Sequence, residues 1–417
     1  METGTKHLIG SSLRLLNAAN ARKPLSRGDG LLSVASFAFG LPASELPLGY
    51  VAGNAVHAAY ALGRGVHRTT AGKLGLALTA GASAILWDVH RQAEGAEAII
   101  DRPLADELGA DHAAHAAPSP MAPSRTGLPL LPTPAVRKRY VTDGHIAYDD
   151  KGRRTTLDVW RRPDLPTDAK APVMVQVHGG AWATGDKEGQ AYPLMVHLVE
   201  RGWVCVSITY RLSPRATWPE HITDVKRAIG WVKENIADHG GDPDWVAITG
   251  GSAGGHLSSL AALTPNDPQF QEGFEDVDTS LRAAVPFYGA FDWTNRDQTG
   301  RSDMLEFLEQ RVVKSSFQDS RDVFEQASSM THVGPDTVPF FILHGANDSL
   351  IPVEQARSMV DLVRKESSNP CVYAEFPGAQ HAYDVFGAAR ARASCRGIEQ
   401  FLNVVRADSP SQPGPDV

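Results

Sequence analysis

Residues 245–263 constrain the chain most. Trp245-Val246-Ala247-Ile248-Thr249 reads as a buried strand, and His256 to Leu263 reads as a helix with apolar residues at helical spacing. Between them stands Gly250-Gly251-Ser252-Ala253-Gly254-Gly255. A strand that must stop, reverse and start a helix within so few residues strains its central residue, and small neighbours are what permit this. The turn pushes the Ser252 hydroxyl outward. It also aims the Ala253 amide at the space where a reacting oxygen would gather charge. A glycine-rich turn that merely contains a serine is the plainer reading of a motif this short.

The rest of the chain favours the chemical reading. Val173 to Val177 is a hydrophobic strand that runs into His178-Gly179-Gly180-Ala181-Trp182. Such a loop presents backbone N–H groups, the expected second half of an oxyanion hole. The sequence leaves open which two of the Gly179, Gly180 and Ala181 amides face inward; Gly180 and Ala181 are favoured, with Gly179 behind them. His178 is read as a support for the loop. Downstream, the strand Val338 to Gly345 leads to Asp348 on a loop, and the strand Cys371 to Phe376 leads through Pro377-Gly378 to His381. The order Ser252, Asp348, His381 is that of the α/β-hydrolase triad. Each residue follows a strand, where open α/β sheets place their chemistry. Asp348 could instead simply cap the next helix. Glu354 is the competing acid, and fourteen other histidines compete with His381.

These motifs, with Tyr210-Arg211-Leu212-Ser213-Pro214, Trp218-Pro219, Asp224, Trp231 and Gly240-Gly241-Asp242-Pro243, resemble the hormone-sensitive-lipase-like branch of the α/β-hydrolase fold. The resemblance covers roughly residues 135–407. Within that branch it is closest to actinobacterial Lip-type esterases with a long N-terminal extension. It implies hydrolysis of short- to medium-chain carboxylic esters or lipids, with no cofactor and no metal. It also implies a cap insertion at about 293–336, where Met304 to Leu308 and Val323-Phe324 suggest two short helices. Many members carry an acidic residue where this chain has Gly251. Trp182, Phe291, Trp293 and Phe307 are expected as pocket walls. The loop and elbow also resemble kynurenine formamidases, so an arylformamidase is the alternative enzyme. A non-catalytic small-molecule receptor on the same fold is the alternative of another class, which the retained His381 argues against.

At 417 residues, a core plus an appendage is expected. A net charge of −8 argues against a general affinity for nucleic acid. Three cysteines give no disulfide framework. The expected division is a helical N-terminal region over 1–116, a Pro-rich extended linker over 117–135, a catalytic domain over 136–407 and a flexible tail over 408–417. The catalytic domain should hold a mostly parallel central sheet with helices on both faces. Leu46 to Leu62 and Leu74 to Trp87 carry no Asp, Glu, Lys or Arg, and a basic turn separates them. Both are shorter than a bilayer span requires. They are expected to form a hairpin that caps the hydrolase, packs on a second copy in a homo-oligomer, or makes peripheral membrane contact through 46–87. The first twenty residues lack a cleavable signal pattern, so a cytoplasmic or envelope-associated location is expected.

Overall fold

The computed structural model describes residues 3–125, 127–298 and 300–408. Eight strands form one sheet: β1 Val141–Ala147, β2 Thr156–Trp160, β3 Ala171–Val177, β4 Val204–Ile208, β5 Gly241–Gly251, β6 Ala283–Phe287, β7 Phe340–Gly345 and β8 Cys371–Phe376. Their spatial order is β1-β2-β4-β3-β5-β6-β7-β8. β2 runs antiparallel to both of its neighbours, and the pairs from β4 onward are parallel. Parallel strands are buried on both faces, so they need continuous apolar runs rather than alternation. β3 comes close to that, with all seven residues buried and Gln176 its single polar side chain.

Helices cover both faces. The core helices used below are α6 Tyr192–Glu200, α7 Glu220–Asn235, α8 Ala253–Leu263, α9 Glu354–Glu366 and α10 Ala389–Asp408. One apolar cluster holds α7 and α8 against the sheet through Ile222, Val225, Leu257 and Leu260. A second packs α6 and α10 on the other face through Leu198, Ile398 and Phe401. Between β6 and β7 the insertion folds into the short helices Ser302–Phe307 and Arg321–Ala327, joined through a wider turn at Leu308–Val313.

Among the described residues up to 108 lie five α-helices: α1 Thr3–Arg22, α2 Leu31–Glu45, α3 Pro47–Gly63, α4 Thr70–Glu94 and α5 Ala96–Leu108. Gly95 separates α4 from α5. The break lets α5 join the catalytic domain: Ala96, Ile100 and Leu104 belong to the same cluster as α10 and β8. The boundary expected at 116 therefore falls after a helix that is already core. Among the described residues no single helix is long and apolar enough to cross a membrane, although α2 and α3, bent by 90°, together have the length and composition. The segment 117–135 is tied along the surface, with Ala117 N–H donating to Asn403 O and Met121 N–H to Arg201 O. Beyond Asp408, the expected tail lies outside the described residues.

Candidate active site

Ser252 sits where β5 turns into α8, at φ 60° and ψ −121°. That backbone is unfavourable for a residue with a Cβ and persists only where the surroundings enforce it. The glycines beside it explain how. A Cβ on Gly254 would lie 2.2 Å from Val177 O, and one on Gly255 would lie 2.5 Å from Phe287 O. The chain can turn only because these positions are bare. Ser252 N–H donates to Phe287 O at 3.0 Å, which fixes the tip of the turn to the neighbouring strand.

At Gly251 a Cβ would stand 2.7 Å from the Tyr288 hydroxyl. That hydroxyl donates to Asp384 Oδ1. Tyr288 thus occupies the space beside position 251, with Asp384 hydrogen-bonded to it. Burial raises the Asp384 pKa, and the Tyr288 hydrogen bond opposes it.

The loop after β3 runs through three successive left-handed residues, Gly180 at φ 125°, Ala181 at 51° and Trp182 at 56°. Gly179 N–H donates to Gln190 Oε1 at 2.7 Å, so that amide is already engaged. Among the described residues, the amides of Gly180 and Ala181 meet no internal acceptor. Ala253 opens α8, where a helix has no partner of its own for the N–H. His178 lies under the loop. It is stacked on Tyr210 at 4.3 Å, and its Nδ1 is 2.8 Å from Gly179 O. Burial pushes its pKa down to about 4, so the ring is a neutral support at pH 7.

Asp348 follows β7 and is fully enclosed. Its Oδ1 accepts from the amides of Leu350 and Ile351, each at 2.8 Å. Its Oδ2 lies 2.6 Å from His381 Nδ1. His344 Nε2 lies 3.0 Å from Ile351 O and 3.3 Å from the same carboxylate oxygen. A carbonyl only accepts, so this Nε2 carries the proton and also faces the carboxylate. Burial would raise the Asp348 pKa, but the charge and hydrogen bonds of His381 and His344 outweigh it and hold the carboxyl well below the usual range. Gln380 Oε1 accepts from Ser349 N–H and from His381 N–H, both at 2.8 Å, and so ties the two loops together. Glu354, the competing acid, instead pairs with Arg357 at 3.4 Å on the surface of α9.

Ser252 and His381 open on one cavity of about 430 Å³, together with Gly179, Gly180, Ala181, Phe307 and Tyr288. The expected walls need correction. Phe307 lines this cavity, but Trp182, Phe291 and Trp293 do not; they are buried in the core behind the loop. Trp182 meets Trp293 edge-on at 4.9 Å, and its Nε1–H donates to His256 Nδ1 at 3.2 Å. Trp182 and Trp293 thus pack together inside the core, away from the cavity. Phe37 of α2 was not foreseen in this site. It lines the cavity and meets the His381 ring edge-on at 5.7 Å, while Tyr288 meets that ring at 4.5 Å. Nothing in the local sequence around Phe37 signals this, because the contact spans most of the chain. Gln380, directly before His381, could have been found from its position.

Comparisons agree with this architecture. A family model described as BD-FAE matches residues 157–362. The chain is 47% identical to the probable carboxylic ester hydrolase LipM of Mycobacterium tuberculosis, over 98% of this chain and 96% of the relative. It is 48% identical to the esterase LipQ of the same organism, over 67% of each. Among solved structures it is similar to the butyrate-bound esterase 2 of Thermogutta terrifontis, with a TM-score of 0.51 and 25% identity over 61% of this chain and 89% of that one. With near-full-length identity to LipM and a hydrolase sheet that ends in a serine elbow, the chain belongs to the Lip-type carboxylic ester hydrolases, in the hormone-sensitive-lipase-like branch of the α/β-hydrolase fold.

Proposed function

We propose that this hydrolase cleaves esters of short to medium acyl chain length, with Ser252 as nucleophile, His381 as base and Asp348 as the acid that orients it. The observation that carries the reading is the 2.6 Å contact between His381 Nδ1 and a deeply buried Asp348, on the cavity that also holds Ser252. Asp348 is ionised across the working pH range, so His381 donates Nδ1–H to it. The other ring nitrogen is then free to accept the Ser252 proton. Ser252 Oγ attacks the ester carbonyl carbon as His381 takes that proton. Charge gathers on the carbonyl oxygen, where the amides of Gly180, Ala181 and Ala253 donate. The C–O bond then breaks, the alcohol leaves with the proton from His381, and an acyl-Ser252 ester remains. Water repeats the sequence, with His381 again as base, and releases the acid.

Cavity size and one relative support the acyl range. A volume of about 430 Å³ lies at the lower end for small-molecule sites. The Thermogutta esterase has been solved with propionate and with butyrate bound. Ser252→Ala is expected to lower turnover by on the order of 10⁶, and a fluorophosphonate should label wild type at Ser252 alone. Retention of more than a small fraction of turnover, or a label on another serine, would refute the nucleophile. A p-nitrophenyl ester series should peak between acetate and hexanoate; a maximum at palmitate would overturn the chain-length reading.

A further inference from the structure

Among the described residues, the exposed large hydrophobic side chains all lie between Ile9 and Trp87, apart from Leu130 and Leu131. On α1, Ile9, Leu13 and Leu16 share one helical face and all are exposed. Leu13 and Leu16 meet Leu25, Leu32 and Phe39 around an apolar groove of about 370 Å³ between α1 and α2. Leu13 and Phe39 also border the adjoining groove, where Tyr50 and His57 of α3 appear, so the apolar face is continuous across three helices. Phe39 is 68% exposed and Leu13 63%, which is costly for a face meant to stay in water.

Charge identifies the occupant. Residues 3–87 contain eight Lys and Arg against two Asp and Glu, in a chain whose net charge is −8. Both acids are engaged internally: Asp29 faces Arg301 and Ser302, and Glu45 is buried against Arg390. Among the described residues Lys6, Lys23, Arg64, Arg68 and Lys73 form no ion pair. A second copy docked symmetrically on this face would bring cations against cations. An apolar face edged with unpaired cations matches an anionic lipid surface instead.

We propose that α1 to α3, with the basic turn at 64–73, seat this enzyme on an anionic lipid surface and that its ester substrates are presented from there. The surface extends beyond the hairpin at 46–87 to include α1 and α2. The substrate clause rests on the proposed catalytic reading, because α2 borders both places: Leu32 and Phe39 line the apolar groove while Phe37 lines the cavity with Ser252.

The test is flotation of the full chain with vesicles of phosphatidylcholine alone and of phosphatidylcholine with phosphatidylglycerol. Wild type is expected to float with the anionic vesicles at low salt, to be recovered about tenfold less with the neutral ones, and to be released at high salt. Phe39→Asp, and separately Arg64→Glu with Lys73→Glu, should remove flotation while circular dichroism and p-nitrophenyl acetate turnover stay unchanged. Ser252→Ala should float like wild type, so loss of docking and loss of the catalytic reading are separately visible. Wild type that stays in the aqueous fraction, or floats equally with both vesicles, overturns the proposal. So does a concentration-dependent dimer that Phe39→Asp dissolves, which would make a second copy the occupant.

Discussion

At the scale of the residue, Asp348 shows how a site is built from local rules. Two backbone amides hold one carboxylate oxygen, and two imidazoles face the other. Asp348→Asn should lower kcat by roughly 10⁴, because the amide can present its N–H to His381 and favour the wrong tautomer. Glu354→Gln should change kcat less than about twofold, as expected for an exposed surface group. The reverse pattern in steady-state kinetics would exchange the two roles. The placement of Ser252, Asp348 and His381 just after strands β5, β7 and β8 was legible in the sequence, because each loop announces itself with small or turn-forming residues. His344 and the Tyr288–Asp384 pair were not, because their hydrogen-bond partners carry no local pattern. Trp182, Phe291 and Trp293 were misplaced for a related reason. An aromatic ring near a strand end can face the cavity or pack into the core, and the two positions read alike along the chain.

At the scale of the element, the parallel strands were legible as continuous apolar runs, and their ends set where the reactive loops begin. The N-terminal helices were legible as helices but not as parts of the hydrolase. Their attachment depends on contacts such as Arg27 Nη2 to Asn347 Oδ1 at 2.6 Å and Ser349 Oγ to Ser33 O at 3.0 Å, on either side of Asp348. Sequence reading treated the first 116 residues as an appendage to the catalytic core; the packing ties them into it. Deleting residues 1–130 removes α5 from the core cluster, removes Phe37 from the cavity and leaves Arg390 buried without Glu45. Losing one partner of a buried ion pair alone costs about 3–5 kcal/mol. The shortened chain is therefore expected to be insoluble or to lack a cooperative thermal transition. A cooperative, fully active fragment measured by calorimetry and p-nitrophenyl acetate hydrolysis would show that the N-terminal helices are an appendage after all.

At the scale of the whole molecule, acid is the natural probe of stability. Burial pushes the pKa of His178 to about 4, of His221 to about 3 and of His256 to about 4. Unfolded, each would titrate near ~6.5. Between those values the unfolded chain binds protons that the folded chain refuses, so lowering the pH through this window favours unfolding. Each ring should cost on the order of 1 kcal/mol or more by about pH 5. Asp348, held low, acts in the same direction but in a lower window: its contribution is kept above the ordinary carboxylate value of ~3.9 and is lost as the pH falls below it. The melting temperature is expected to fall steadily from pH 7 to pH 5, and His256→Gln should flatten that slope. A melting temperature that is constant across the range would mean that these histidines are not held neutral by the fold.

The ties between the N-terminal helices and the acid loop also bear on how the protein is made. The partners are 320 residues apart for Arg27 and Asn347, 316 for Ser33 and Ser349, and 345 for Glu45 and Arg390. A ribosome adding about 5–20 residues per second needs some tens of seconds to cover that separation. The helical bundle is therefore synthesised long before the loop it braces, and every nascent chain passes through a stage with its apolar face already made and its hydrolytic machinery still unwritten.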